Sequence, residues 1–140
     1  MARDEKIDLL RTVPLFAELG KRELERVSTL ADIVDLPADR PLMTQGQHGA
    51  QMFILVSGRA RVERDTHPIN EVGPGEVIGE IALLDGGPRT ATVTLTEPSR
   101  LLVLARREFQ ALMDEFPEIR LRVLEAVARR LRALDLEGLH

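Results

Sequence analysis

The chain is 140 residues long, enough to bury an ordinary core in one domain, and its 44% hydrophobic and 30% charged content is that of a soluble globule. It has no cysteine, which excludes disulfides, thiolate catalysis and zinc clusters and gives no sign of secretion. A net charge of −4 with a pI near 5.4 suits nucleic acid poorly, and neither a membrane-length apolar run nor a signal-peptide pattern is present, so the composition points to the cytoplasm.

Arg3–Thr12 sets Ile7, Leu9 and Leu10 among charges and predicts a short helix ending before Pro14. Leu15, Phe16 and Leu19 make an apolar turn closed by Gly20. Lys21–Ile33 then places Leu24, Val27, Leu30 and Ala31 at the spacing of an amphipathic helix. Residues 3–33 are therefore expected to be helical, with packing as their evident role.

From Ile33 to Leu104 the pattern becomes short β-rich runs between turn residues. The runs are Ile33–Leu36, Pro41–Thr44, Met52–Val56, Ala60–Glu63, Ile69–Val72, Ala91–Thr96 and Leu101–Leu104, which predicts an all-β barrel or sandwich over 33–105. Gly46, Gly49, Gly58, Gly73 and Gly75 fall at the joints, and Pro68 is expected in an Asp65–Pro68 hairpin tip.

The stretch 79–93 stands apart from these strands. After Gly79, Glu80-Ile81-Ala82-Leu83-Leu84 is material for one or two helical turns, whose first N–H groups lack intrahelical partners and favour an anion. Asp85-Gly86-Gly87-Pro88 stops such a helix. Arg89 follows a proline of fixed φ, and its planar fork suits two phosphate oxygens. A strand then leaves through Thr90–Leu95. A helix N-terminus, an acceptor-only carboxylate at Glu80 and a guanidinium at Arg89 together describe a site for a small anion that also carries a hydroxyl. The competing reading is a surface ion pair between Glu80 and Arg89 beside an ordinary turn.

Arg106–Glu115 is expected to form a short helix on Phe109, Leu112 and Met113, with Pro117 just past its end. Glu118–Leu136 follows as the final helix of a C-terminal part, 106–136. Val123, Leu124, Val127, Ala128, Leu131 and Leu134 fall on one broad stripe, and Arg122, Arg129 and Arg132 on the opposite, solvent side. Arg130 lies at the edge of the apolar arc, where periodicity alone reads it as a flanking arginine.

The 79–93 stretch resembles the phosphate-binding cassette of cyclic nucleotide-binding domains, as in catabolite activators, cAMP-dependent kinase regulatory subunits and cyclic-nucleotide-gated channels. Gly79, Glu80, Ala82, Leu83, Pro88, Arg89, Ala91, Thr92 and Val93 stand where that pattern expects them. Gly46-Gln47-His48-Gly49, Phe53-Ile54, Gly58 and the approach Gly73–Gly79 extend the resemblance to most of the chain.

The resemblance implies a mainly β fold with flanking helices: an eight-stranded, jelly-roll-like β-roll with N-terminal helices and C-terminal lid helices. It implies a single non-catalytic receptor domain over 1–140 for cAMP or cGMP, cAMP favoured. Arg89 would hold the cyclic phosphate, aided by backbone N–H groups of Ile81, Ala82, Leu83 and Thr90. Glu80, with Gly79, would take the ribose 2′-hydroxyl. In channel-type relatives an arginine at the position of Arg130 caps the base, so Arg130, Val127, Leu131 and Leu134 are the cap candidates.

One departure is Ala50, where the family usually has an aspartate that in kinase-type relatives pairs with the phosphate arginine. A cupin-type oxygenase or a phosphodiesterase on a similar roll would need clustered metal ligands, but His48, His67 and His140 are far apart in sequence. A vestigial nucleotide site in an interaction module is the remaining alternative. The expected associations are thus a cyclic nucleotide and an effector protein or fused effector domain, in a monomer or weak homodimer. No metal, nucleic acid or membrane is expected.

Overall fold

The computed structural model describes residues 3–79 and 86–136, and their side chains apart from those at 3, 4, 130, 131 and 133–136. Two helices, α1 (Arg3–Arg11) and α2 (Lys21–Leu30), lead into the strands. These are β1 (Asp32–Leu36), β2 (Pro41–Met43), β3 (Gln51–Ser57), β4 (Ala60–Arg64), β5 (His67–Val72), β6 (Val77–Ile78), β7 (Thr92–Leu95) and β8 (Ser99–Ala105). Helices α3 (Arg106–Glu115) and α4 (Pro117–Leu136) follow. The strands form two four-stranded sheets, ordered β1-β8-β3-β6 and β2-β7-β4-β5, with antiparallel pairing throughout. This is the β-roll with flanking helices that the resemblance implies.

The first sheet is buried on both faces, and its sequence shows why. Met52-Phe53-Ile54-Leu55 in β3 is an unbroken apolar run, and β8 supplies Leu101-Leu102-Val103-Leu104 in register with it. Successive side chains point to opposite faces. Met52, Ile54, Leu102 and Leu104 thus join the helices in one core, with Phe16, Leu24, Phe109 and Ile119. Phe53, Leu55 and Leu101 join Val93 and Leu95 of β7 in a second core between the sheets. Each fully buried Leu, Ile or Phe contributes roughly 1.5–3 kcal/mol, so these two layers dominate the stability. The second sheet is buried on its inner face, and β7 alternates accordingly: Val93 and Leu95 buried, Thr92 and Thr94 half-buried.

Several boundaries differ from the sequence expectation. Helix α2 ends at Leu30, not Ile33, because Ala31 turns to an extended conformation (ψ 137°) and β1 begins at Asp32. The eighth strand, β6, is too short for any alternation to reveal it, and it pairs Val77 and Ile78 with Ile54 and Phe53. Pro68 lies in β5, not in a hairpin tip. The turn is Asp65-Thr66, both at positive φ, and β5 is an edge strand, where a missing N–H breaks no interior ladder. Pro117 opens α4, in the first turn where the absent N–H costs nothing.

The final helix departs most. Ile119 and Val123 are buried, but Leu124 is 51% exposed, Leu121 57% exposed, and Ala128 exposed. Of the expected stripe Val123 is buried and Val127 half-buried, Leu124 and Ala128 are exposed, and the side chains of Leu131 and Leu134 lie outside the described residues. The buried part of α4 packs on α3 and the N-terminal segment. Neither core includes a described residue beyond Val123. Arg122 is not a purely solvent residue either, since its guanidinium pairs with Glu18. Arg129 and Arg132 are exposed as expected. A second tie crosses the helices, where Arg26 of α2 grips the Glu115 carboxylate of α3 with both Nε and Nη2.

Candidate ligand-binding site

The cassette enters at the end of β6 and leaves into β7, so it bridges the two sheets. Glu80, Ile81, Ala82 and Leu83 lie outside the described residues, along with the helical turns expected there. Both borders are described. Gly79 has φ 87° and Gly86 φ 73°, left-handed conformations that permit a sharp entry and exit. Thr90 is exposed at the exit.

Arg89 lies three residues past the second border and is 5% exposed. Its Nη1 donates to the Gly79 carbonyl at 3.2 Å and its Nη2 to the Gln51 carbonyl at 2.5 Å. The backbone is held as firmly: Arg89 N–H donates to Gln47 O, and Gly46 N–H to Arg89 O, both at 2.9 Å. The β2–β3 loop thus grips the main chain of Arg89 while the ends of β3 and β6 orient its side chain. Among the described residues no carboxylate pairs with it. Burial pushes its pKa below the ordinary arginine value, yet an arginine keeps its charge at neutral pH. The result is a cation fixed by neutral acceptors, a stable way to hold a charge that an anion can use.

Neighbouring contacts extend the frame. Arg64 Nε, at the end of β4, donates to Thr90 O at 3.0 Å, and Gln45 N–H donates to Thr92 Oγ1 at 3.0 Å. Ala50 is exposed and offers no carboxylate; its carbonyl accepts from Arg106 N–H at 2.7 Å, joining the loop to α3. Of the cap candidates, Val127 is half-buried, while the side chains of Arg130, Leu131 and Leu134 lie outside the described set. His48 and His67 are exposed, and no group of three or more His, Asp or Glu among the described residues is arranged to hold a metal.

The sequence singled out Arg89 and Gly79, which the structure brings into contact, but not Gln51 or Arg64, which touch the same segment. Gln51 acts through its backbone carbonyl, which no side-chain pattern can announce. Arg64 reads as an ordinary strand-end charge.

The family model for the cyclic nucleotide-binding domain matches residues 33–116. The chain belongs to the cyclic nucleotide-binding domain family. Within it, a cyclic nucleotide-gated potassium channel of Rhizobium etli is 39% identical over 111 residues, 79% of this chain and 31% of the channel. The cyclic AMP receptor protein of Thermus thermophilus is 34% identical over 130 residues, 89% of this chain and 60% of that protein. The crystal structure of the Thermus thermophilus catabolite activator protein superposes with a TM-score of 0.81 at 32% identity, covering 89% of this chain and 61% of that one. The chain thus spans about a third of the channel and three-fifths of the receptor protein. The matched span runs from β1 to the end of α3 and includes the whole cassette. No described helix is long and apolar enough to cross a membrane.

Proposed function

We propose that the chain is a non-catalytic, cytoplasmic receptor for a 3′,5′-cyclic nucleotide, with cAMP preferred over cGMP. The observation that carries this reading is the Arg89 guanidinium: buried, held by two carbonyls, and paired with no described carboxylate. A cyclic phosphate is a compact monoanion whose two free oxygens suit that fork. In this reading Arg89 binds the phosphate with the N–H groups of Ile81, Ala82, Leu83 and Thr90, and Glu80 beside Gly79 accepts from the ribose 2′-hydroxyl. The base then faces Val127, Arg130, Leu131 and Leu134.

The described residues of α4 beyond Val123 join neither core, and this half of the helix is the element a bound base would gather in. Ligand binding shifts a conformational equilibrium only through contacts that differ between its states, and the cap supplies such contacts. The output goes to a separate effector or to a domain fused beyond this module, and the receptor acts as a monomer or weak homodimer. The relatives, a cyclic AMP receptor protein and a cyclic nucleotide-gated potassium channel, support the ligand class.

Calorimetric titration of the purified chain with cAMP, cGMP and non-cyclic 5′-AMP tests the reading. Saturable one-site binding of cAMP, tighter than cGMP and far tighter than 5′-AMP, is expected. A folded chain that binds none of them refutes it and leaves the vestigial module.

A further inference from the structure

Two glycines of the β2–β3 loop are kept for different reasons. Gly46 has φ 85° and nothing within 4 Å of where a Cβ would stand, so conformation alone requires it. Gly49 is the reverse. It is absent from the positive-φ residues, so no left-handed backbone requires a glycine there. A Cβ there, however, would fall on Nε and Nη2 of Arg89 and 2.6 Å from Cζ, inside the 3.0 Å that real Cβ atoms respect. The guanidinium occupies the volume of a side chain at position 49.

We infer that Gly49 is a positioning residue of the anion site: its missing side chain is the slot that lets Arg89 reach the Gln51 and Gly79 carbonyls. The inference deepens the proposed function and rests on it for the ligand. Three surfaces define the slot. Gly49 closes one side against Nε, Cζ and Nη2, and Gly79 closes another, since a Cβ on it would stand 2.6 Å from Nη1. The Gln51 and Gly79 carbonyls fix the rotation of the fork within its plane. A methyl group at position 49 would therefore not break the fold. The atoms it meets are the far end of a flexible side chain, and that end would swing away and lose both carbonyls. The charge would remain in the protein but no longer where the cassette presents a phosphate. A near-attack of this kind on geometry, at constant charge, weakens binding while leaving the core untouched.

The test is a double-mutant cycle on the whole chain: wild type, Gly49→Ala, Arg89→Ala and the double variant. Each is titrated with cAMP by calorimetry and melted without ligand. Gly49→Ala is expected to lower cAMP affinity at least tenfold. The double variant is expected to bind within threefold of Arg89→Ala alone, because the glycine acts only through the arginine. In the melts Gly49→Ala lowers Tm in the wild-type background and has no effect in the Arg89→Ala background, where the slot is empty.

The melts need no ligand. If the wild type binds no cyclic nucleotide, the functional reading fails while the melts still decide the role of Gly49. Wild-type affinity in Gly49→Ala overturns the inference, as do losses that add to those of Arg89→Ala. A Gly49→Ala chain that cannot fold and is not restored by Arg89→Ala also overturns it.

Discussion

Removing the side chain of Arg89 separates its packing role from the phosphate role proposed for it, because the two would use different hydrogen bonds. A guanidinium has five N–H donors. Two of them are committed, one to Gly79 O and one to Gln51 O. The others are the ones a phosphate can take. Hydrogen bonds to a charged group contribute about 1.5–3 kcal/mol net, so Arg89→Ala should cost cAMP affinity by roughly 10- to 150-fold.

Stability should respond much less. Truncation leaves two carbonyls short of a donor, but it also removes a cation held at 5% exposure, whose desolvation opposes folding. These effects offset each other, and the net change should stay within about 2 kcal/mol, or about 8 °C in Tm for a domain of this size. Arg89→Lys sharpens the test. It keeps the charge but cannot reach two carbonyls and two phosphate oxygens together, so its affinity should fall nearly as far as that of the alanine variant. Calorimetry and thermal melts on the same samples measure both quantities. Unchanged affinity in a folded Arg89→Ala chain refutes the phosphate role. Collapse of the fold with no prior effect on binding would make the arginine a strut.

Three further outcomes are expected. Glu80→Gln should weaken cAMP while sparing 2′-deoxy-cAMP, and equal losses for both would remove the ribose role. Amide hydrogen exchange from Val127 to Leu134 should slow on adding cAMP, and a chain truncated after Arg122 should bind more weakly; exchange indifferent to ligand would redirect the signal to the N-terminal helices. The Arg26 hydrogen bond and charge hold the Glu115 carboxyl below its ordinary value of 4.5, so this pair stabilises the fold above the carboxylate range and the contribution is lost as pH falls through it. Glu115→Gln should flatten that acid limb in a urea-denaturation series against pH, and an unaltered limb would show that the pair carries no pH-dependent stability.

How much could be read from the sequence depended on whether a signal was local. Strands β3 and β8 announced themselves as apolar runs, and α3 was bounded correctly because its periodicity and flanking residues agree. The two-residue β6 has no period to detect. Pro68 misled because a proline between turn formers reads as a tip, whereas its place on an edge strand follows only from the sheet order. In α4 the stripe is real in sequence, but burial needs a partner surface, which leaves Leu124 and Ala128 exposed beside a buried Val123. The site divided in the same way. Arg89 carries its chemistry in its side chain and stands out in the sequence. The carbonyl of Gln51 carries none in its identity and does not.

The position of Gln51 also explains how one sheet can serve two cores and a site. Gln51 is the first residue of β3, and its carbonyl holds the Arg89 guanidinium. The next residues, Met52 and Ile54, pack against the helices, while Phe53 and Leu55 pack between the sheets. Just before it, Ala50 O accepts the N–H of Arg106, the first residue of α3. A ligand that pulled on Arg89 would therefore load the same three-residue stretch that anchors the start of α3, whose Phe109 and Leu112 lie in the helical core with Ile119 of α4. Close-packed contacts of this kind transmit small displacements instead of absorbing them. Residues 50–52 and α3 thus join the Arg89 guanidinium to the C-terminal helices by main-chain and packing contacts, none of which needs a side-chain carboxylate at position 50.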